Sequence, residues 1–196
     1  MATSKSRIIA FKYKGLSNLE HCIDIVQNNR LYCAPFTELN DPMEGKYRIA
    51  EDEEYEETIE QRVEGILGEK AKFRICALSK ISGHQAMLAH YAEKHTGVIF
   101  EIELFESSNV YDVEYVKELP VVDVLKGKQK DIARNIFRYK LKDWEYEKEV
   151  RVISEDSFFG IPSNVKSITF ATNADPDQAE PLVEACNKKR ISIQYL

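Results

Sequence analysis

The spacing of apolar residues divides the chain into short elements. Arg7–Tyr13 reads as a first strand. After it, Leu19, Cys22, Ile23 and Val26 recur at i, i+3, i+4 and i+7, one face of an amphipathic helix. Ser17 and Glu20 stand at the spacing of a capping box at its start. Leu31–Ala34 is a short strand, and Pro35–Gly45 is dense enough in Asn, Asp, Pro and Gly to be an ordered loop. An acidic stretch from Glu51 to Glu60 follows. There Tyr55, Ile59, Val63, Ile66 and Leu67 keep helical spacing, so residues 46–70 are expected to form an acidic helical insertion or lid. Phe73–Ser79 is a strand, Gln85–Lys94 a short helix ended by Gly97, and Val98–Leu104 a further strand. Val110–Val116 and a short Pro120–Leu125 segment read as strands, and Gln129–Leu141 as a helix with Ile132, Ile136 and Tyr139 on one stripe. Ser157–Gly160 is expected to be a loop with two exposed aromatics. Val165–Phe170 and Ser192–Tyr195 are strands. Between them Asp175 and Pro176 supply the N-cap and first position of a helix burying Ala179, Leu182, Val183 and Cys186. Strands cluster mid-chain and do not alternate regularly with helices. The expected fold is therefore α+β, a single domain over 1–196 with a mixed, mostly antiparallel sheet and flanking helices.

One stretch stands out, Lys140–Ile153. It ends in β-branched residues, which favours a strand. Read as one strand, it places Trp144, Tyr146, Lys148, Val150 and Val152 on one face, and Glu145, Glu147, Glu149, Arg151 and Ile153 on the other. Trp144 and Tyr146 then anchor the core, and Glu145 is solvated. Glu147 and Glu149 share a face about 7 Å apart. At that spacing one carboxylate can raise the pKa of the other, which suits acid–base chemistry, or one can steady an oxocarbenium-like centre. Arg151 either holds a phosphate or pairs with Glu149. The plain alternative is an exposed face laced with weak Glu–Arg pairs.

Composition narrows the classes. The chain has 196 residues, 43% hydrophobic and 31% charged, in the range of ordinary globular proteins and sufficient for one good core. A net charge of −6 argues against general nucleic-acid or anionic-membrane binding. The cluster Lys126, Lys128, Lys130 and Arg134 reads as a solvated helix face. No apolar run approaches the roughly 20 residues of a bilayer span, and no apolar signal region follows the first residues. Cys22, Cys33, Cys76 and Cys186 lack metal spacing and sit in apolar patterns, so they read as buried reduced thiols and point to the cytoplasm.

Several chemistries lack their sequence signature. Neither a Gly-rich phosphate loop nor a nucleophile elbow occurs. His84, His90 and His95 do not align on one helix face, which argues against a metal site; His90 reads as a packing residue beside Tyr91, and His21 as solvated. Ser79 ends its strand, a position suited to a pocket rim. In the loop, Asn40 and Asp41 either hold the turn or wall a pocket.

Three groups of motifs resemble a bacterial family catalogued as domain of unknown function 2971. The first is Phe11-Lys12-Tyr13, then Arg30-Leu31-Tyr32 and Leu39-Asn40-Asp41-Pro42-Met43-Glu44. The second is Arg74-x-Cys76-x-Leu78-Ser79 followed by Met87-Leu88-Ala89-His90-Tyr91-Ala92 and Gly97-Val98; Leu88 stands where the family typically has Trp. The third is Lys140-x-x-x-Trp144-x-Tyr146-Glu147-x-Glu149-x-Arg151. The resemblance covers nearly the whole chain and implies that Asn40, Asp41, His90, Tyr91, Glu147, Glu149 and Arg151 form one constellation.

A fold-level resemblance is to ADP-ribosyltransferase-like proteins. Its carriers are the strand–helix–strand of Ile8–Ala34, a strand ending in Ser79, and Glu147-Lys148-Glu149 on a late strand. It implies a glutamate that binds a ribose and steadies an oxocarbenium, and an aromatic residue, Tyr13 or Tyr91, stacked on a nicotinamide ring. Lys12 or Tyr13 stands where that group usually has a first-strand His or Arg.

Two functions follow as expectations. One is an NAD-using transferase or glycohydrolase, with NAD as substrate, Glu149 and Glu147 catalytic, and Lys12, Tyr13, Asn40, Asp41, Arg74, Ser79, His90, Tyr91 and Arg151 binding. The alternative is a non-catalytic module for a nucleotide, a nucleic-acid end or a protein, in stress or phage defence. A third reading gives the motifs a purely structural role.

Overall fold

The computed structural model describes residues 6–50, 56–161 and 165–196. The expected acidic helix is partly within them: its segment 51–55 and the first five residues of the chain lie outside. The fold is α+β, built on a mixed, mostly antiparallel sheet.

In chain order, β1 (Arg7–Lys14) leads to α1 (Leu19–Asn28), β2 (Arg30–Tyr32), β3 (Ala34–Pro35) and β4 (Arg48–Ile49). Then come α2 (Glu56–Lys72), β5 (Arg74–Ser79), α3 (Gln85–Tyr91), β6 (Val98–Phe105), β7 (Val110–Asp112), β8 (Glu114–Val116) and β9 (Val121–Val122). The chain continues with α4 (Gln129–Ile136), β10 (Tyr139–Leu141), a 3-10 helix (Lys142–Glu147) and β11 (Glu149–Ser154). It ends with β12 (Phe158–Gly160), β13 (Val165–Phe170), α5 (Pro176–Lys189) and β14 (Ser192–Tyr195).

The main sheet has the order β14-β13-β6-β1-β5-β11-β7, with β3 also paired to β5. Helices α1 and α5 pack on one face, over a core that includes Ala10, Cys22, Val26, Phe100, Val150, Val152, Phe170 and Leu182. Helices α2 and α4 pack together on the other face, over Ile66, Phe73, Ile75, Phe137 and Ile153. Beside them α3 covers Tyr13, Met87, Leu88 and Ile99. Side chains alternate along β11 as a strand requires: Val150 and Val152 enter the first core, Ile153 the second.

The sheet splits at one place. β1 pairs with β6 over its whole length, but with β5 only at Phe11–Ser79. Beyond that bridge β3 takes over the free edge of β5, pairing Ala34 with Ile75. The wedge between β1 and β5 is spanned by Lys12, whose Nζ donates to the Ala77 carbonyl at 2.9 Å.

Several expectations are corrected. Lys140–Ile153 is not one strand: residues 142–147 coil as a 3-10 helix, Lys148 turns left-handed at φ 44°, and the strand begins at Glu149. Glu147 and Glu149 therefore do not share a strand face. Trp144 is half-buried, its ring beneath Lys140 Nζ at 4.8 Å, instead of anchoring a strand. Glu145 is half-exposed and pairs with Lys148.

The helix expected over Gln129–Leu141 stops at Ile136, and Tyr139–Leu141 becomes β10, parallel to β8. That switch turns Lys140 inward. The capping box does not form. Asn18 is the N-cap, without a side-chain bond, because Ser17 bonds the distant Glu93 carboxylate through both its amide and its hydroxyl. Val110–Val116 is broken at Val113, whose amide donates to the Glu149 carbonyl. Ser157–Gly160 is no loop: Phe158–Gly160 pairs with β2 as a two-stranded ribbon. The Asp175 cap holds, its carboxylate accepting from the Asp177 amide at 3.0 Å.

Candidate functional site

The wedge between β1 and β5 opens into a cleft of about 840 Å³. α1 lines it with Glu20, His21, Asp24 and Ile25, and α3 with Met87 and Tyr91. Ser79 marks its apex. It pairs with Phe11 on one side and Glu149 on the other, and its hydroxyl donates to the Glu147 carbonyl at 2.6 Å. The left-handed turn at Lys148 sits across this junction, its carbonyl accepting from the Lys80 amide. These constraints bring Glu147, at the end of the 3-10 helix, and Glu149, at the start of β11, to the cleft floor.

Glu147 is gripped at both oxygens. Tyr91 donates its hydroxyl to Oε1 at 2.6 Å, and Lys140 Nζ reaches Oε2 at 2.5 Å. Asn40 completes the chain from the loop, its Nδ2 donating to the Tyr91 hydroxyl at 2.8 Å. Burial, and then the charge of Glu147, push the Tyr91 phenol well above its ordinary value, so it stays a proton donor at neutral pH.

Behind the floor lies a buried ionic cluster. Arg151, fully buried, donates to Glu149 Oε2 from Nη2 at 2.8 Å and from Nε at 3.2 Å, and to the Phe137 carbonyl from Nη1 at 2.9 Å. It also donates to Glu44. Lys140 lies 3.4 Å from both Glu44 and Glu149. Three carboxylates thus share two cations.

The shifts of these groups follow. Burial works against the charge of Glu149, but Arg151 and Lys140 outweigh it and hold its pKa below the ordinary value. Burial dominates at Glu44, and Arg151 does not fully offset it, so its pKa is raised. Glu44 Oε2 is buried without a hydrogen-bond partner among the described residues. Burial also disfavours the charged forms of Lys140 and Arg151, yet Glu149 and Glu44 outweigh it and raise both. Tyr115 closes the cluster by accepting from the Glu149 amide at 2.8 Å; burial pushes its phenol up to about 12.

Among the expected site residues, Lys12, Tyr13, Asn40, Ser79, Tyr91, Glu147 and Glu149 line the cleft. Tyr13 is buried at the cleft wall, 5% exposed, and its hydroxyl is spent on the backbone, donating to Ile81 O and accepting from the His84 amide. Arg151 sits behind Glu149, not in the cleft wall. Asp41 is buried and turns the loop, its Oδ1 accepting from the Met43 amide at 2.8 Å. Arg74 lies at the far end of β5, donating to the carbonyls of Ala71 and Phe73. His90 is exposed on α3, edge-on to Tyr91, and does not line the cleft.

Sequence reasoning missed Glu44, Lys140, Tyr115 and Lys14. Glu44 and Lys140 were within the motifs, as the acid after Asn40-Asp41-Pro42 and the lysine four residues before Trp144. Lys14 lines the cleft, and its side chain makes no hydrogen bond or salt bridge among the described residues; burial and the neighbouring Lys12 lower its pKa, against the weaker pull of Glu93. Among the described residues, no group of His, Cys, Asp and Glu is placed to hold a metal, and no helix is long and apolar enough to cross a membrane. No family model, curated protein or solved structure matches this chain.

Proposed function

We propose that the cleft binds a nucleotide and that the chain acts on NAD, as an ADP-ribosyltransferase or NAD glycohydrolase. The observation that carries this reading is the junction at Ser79. There the sheet splits, and two glutamates, Glu147 and Glu149, stand at the apex of the opening. Glu149 is held ionised by Arg151 and Lys140. An ionised carboxylate fixed in a partly desolvated cleft is suited to a positive charge that develops only in the transition state.

The chemistry asks little else of the protein. The bond from ribose C1′ to the nicotinamide nitrogen breaks, and nicotinamide leaves with the electron pair. The sugar cation faces Glu149 and Glu147, and water, or an acceptor nucleophile, adds to C1′ and loses a proton. The second N–H of Asn40 Nδ2 is a donor for a ribose hydroxyl, and Tyr13 lies at the cleft wall where the nicotinamide ring, cationic until the bond breaks, could meet it. Four free buried thiols fit a cytoplasmic setting.

Etheno-NAD incubated with the protein is expected to gain fluorescence, and Glu149→Gln to abolish the gain. Neither fluorescence nor a thermal shift with NAD would sink this reading. A second reading, a non-catalytic nucleotide-binding module, draws support from the ion pairing that already satisfies both floor carboxylates. It predicts a thermal shift with NAD and no release of nicotinamide.

A further inference from the structure

The mouth of the cleft carries features that the chemistry at its floor does not use. β2 and β12 form a ribbon off the main sheet, with Tyr32 opposite Phe158. Both rings line the cleft, 44% and 43% exposed, so burial alone does not account for them. They are ordered by neighbours. Tyr32 stacks on His21 from α1, with centroids 6.2 Å apart and planes at 25°, and meets Phe158 edge-on at 5.7 Å. The Arg30 guanidinium lies 3.8 Å from the centre of the Phe158 ring. Asp24 fixes that guanidinium by a bidentate pair, Nε to Oδ2 at 2.9 Å and Nη2 to Oδ1 at 2.8 Å.

The wall of the cleft adds a second, independent observation. Lys12 and Lys14 point the same way from β1, two residues apart, and among the described residues neither makes a salt bridge; the Glu93 carboxylate acts on Lys14 only from beyond salt-bridge distance. Lys12 Nζ bonds the Ala77 carbonyl and reaches the Cys76 thiol, and the Lys14 side chain makes no hydrogen bond among the described residues. Partly buried lysines left so are short of an anion.

We infer that the cleft takes its nucleotide in one orientation, with the base stacked at the Tyr32–Phe158 rim and the phosphate on Lys14 and Lys12. This rests on the nucleotide reading above and adds the subsite and the polarity of the ligand. A planar heteroaromatic ring gains from stacking on an ordered tyrosine whatever its hydrogen-bonding edge. A phosphate gains from two lysines that need no carboxylate displaced. The adenosine ribose then bridges rim and wall, and the pyrophosphate carries the nicotinamide ribose on to the floor.

The test compares AMP, ribose 5-phosphate and adenosine by calorimetry on the full chain. AMP is expected to bind about tenfold or more tighter than ribose 5-phosphate, the gain stacking commonly gives. Tyr32→Ala should bring AMP down to the ribose 5-phosphate level and leave ribose 5-phosphate itself unchanged. Lys14→Gln should weaken both phosphates and spare adenosine. Phe158→Ala gives a second rim variant, and a melting curve for each checks that it is folded. Equal affinity for AMP and ribose 5-phosphate in the wild type, or equal weakening of both by Tyr32→Ala, overturns the inference alone, provided NAD still binds. If neither phosphate nor NAD binds, the nucleotide reading fails and the inference fails with it.

Discussion

Tyr91 and Glu147, 56 positions apart in the chain, meet in a 2.6 Å hydrogen bond at the floor of the cleft. The bond ties α3 to the end of the 3-10 helix. Tyr91→Phe removes the donor and leaves Glu147 Oε1 buried with no replacement. A loss of about 1–3 kcal/mol is expected, the usual cost of a buried acceptor left unpaired. Urea unfolding of the variant against the wild type measures it, and an unchanged midpoint would mean that water replaces the hydroxyl.

Arg151 should be the most costly residue of the cluster to remove. Arg151→Met leaves three carboxylates with only Lys140 between them. Breaking a buried pair from one side costs about 3–5 kcal/mol. The double variant Arg151→Met with Glu149→Met should recover part of that loss, because the stranded charge goes too. A double variant no more stable than Arg151→Met would contradict the pairing described here.

Glu44 and Glu149 should give opposite pH signatures. Glu149 has a lowered pKa in the fold. The stability it adds is present above the unfolded glutamate value and is lost as pH falls through the folded one. Glu44 has a raised pKa. Its protonated form is favoured by folding, so its contribution is full below the unfolded value and is lost as pH rises through the folded one. Relative to wild type, Glu44→Gln should therefore gain stability as pH rises above the ordinary glutamate range. Glu149→Gln should lose least in acid. Denaturant midpoints across pH 3 to about 8 would show the two slopes.

Gly97 is placed by the close approach of the end of β1. A Cβ there would stand 2.2 Å from the Lys14 carbonyl oxygen and 2.9 Å from the backbone of Ala92. Gly97→Ala must push Lys14 aside, and a cost of about 1–3 kcal/mol is expected from such overpacking. Phosphate binding at Lys14 should weaken in the same variant. A melting temperature equal to wild type would show that β1 gives way freely.

The sequence made the elements legible where local signals and tertiary packing agree. The alternation Glu149–Ile153 places side chains as the strand does, and Asp175-Pro176 starts its helix as read. It failed where a distant group decided the geometry. Glu93, far along the chain, takes the Ser17 hydroxyl that a local cap needed. Glu44 lies 107 positions from Arg151, and no periodicity joins them. The left-handed turn at Lys148 breaks an otherwise plausible strand because Lys148 has to cross the sheet junction and bond Lys80. Hence Glu147 and Glu149 converge, but not through the period-two spacing that suggested it.

The four cysteines have a use that their inertness hides. Cys22, Cys33, Cys76 and Cys186 are all free, and all four belong to the core under α1 and α5. The layers under α2, α4 and α3 have none among their described core residues. Burial pushes the Cys22 and Cys186 thiols up to about 11, and Cys76, whose pKa the Cys33 thiol holds below its ordinary value, is sealed off by full burial, so in the closed molecule all react slowly. A thiol reagent is thus a clock for one side of the sheet only. Lifting α1 or α5 from β1 and β6 would start it, whereas loosening α2 from α4 would leave it silent. Labelling rates with and without nucleotide would then report how firmly a ligand in the cleft clamps α1 to the sheet.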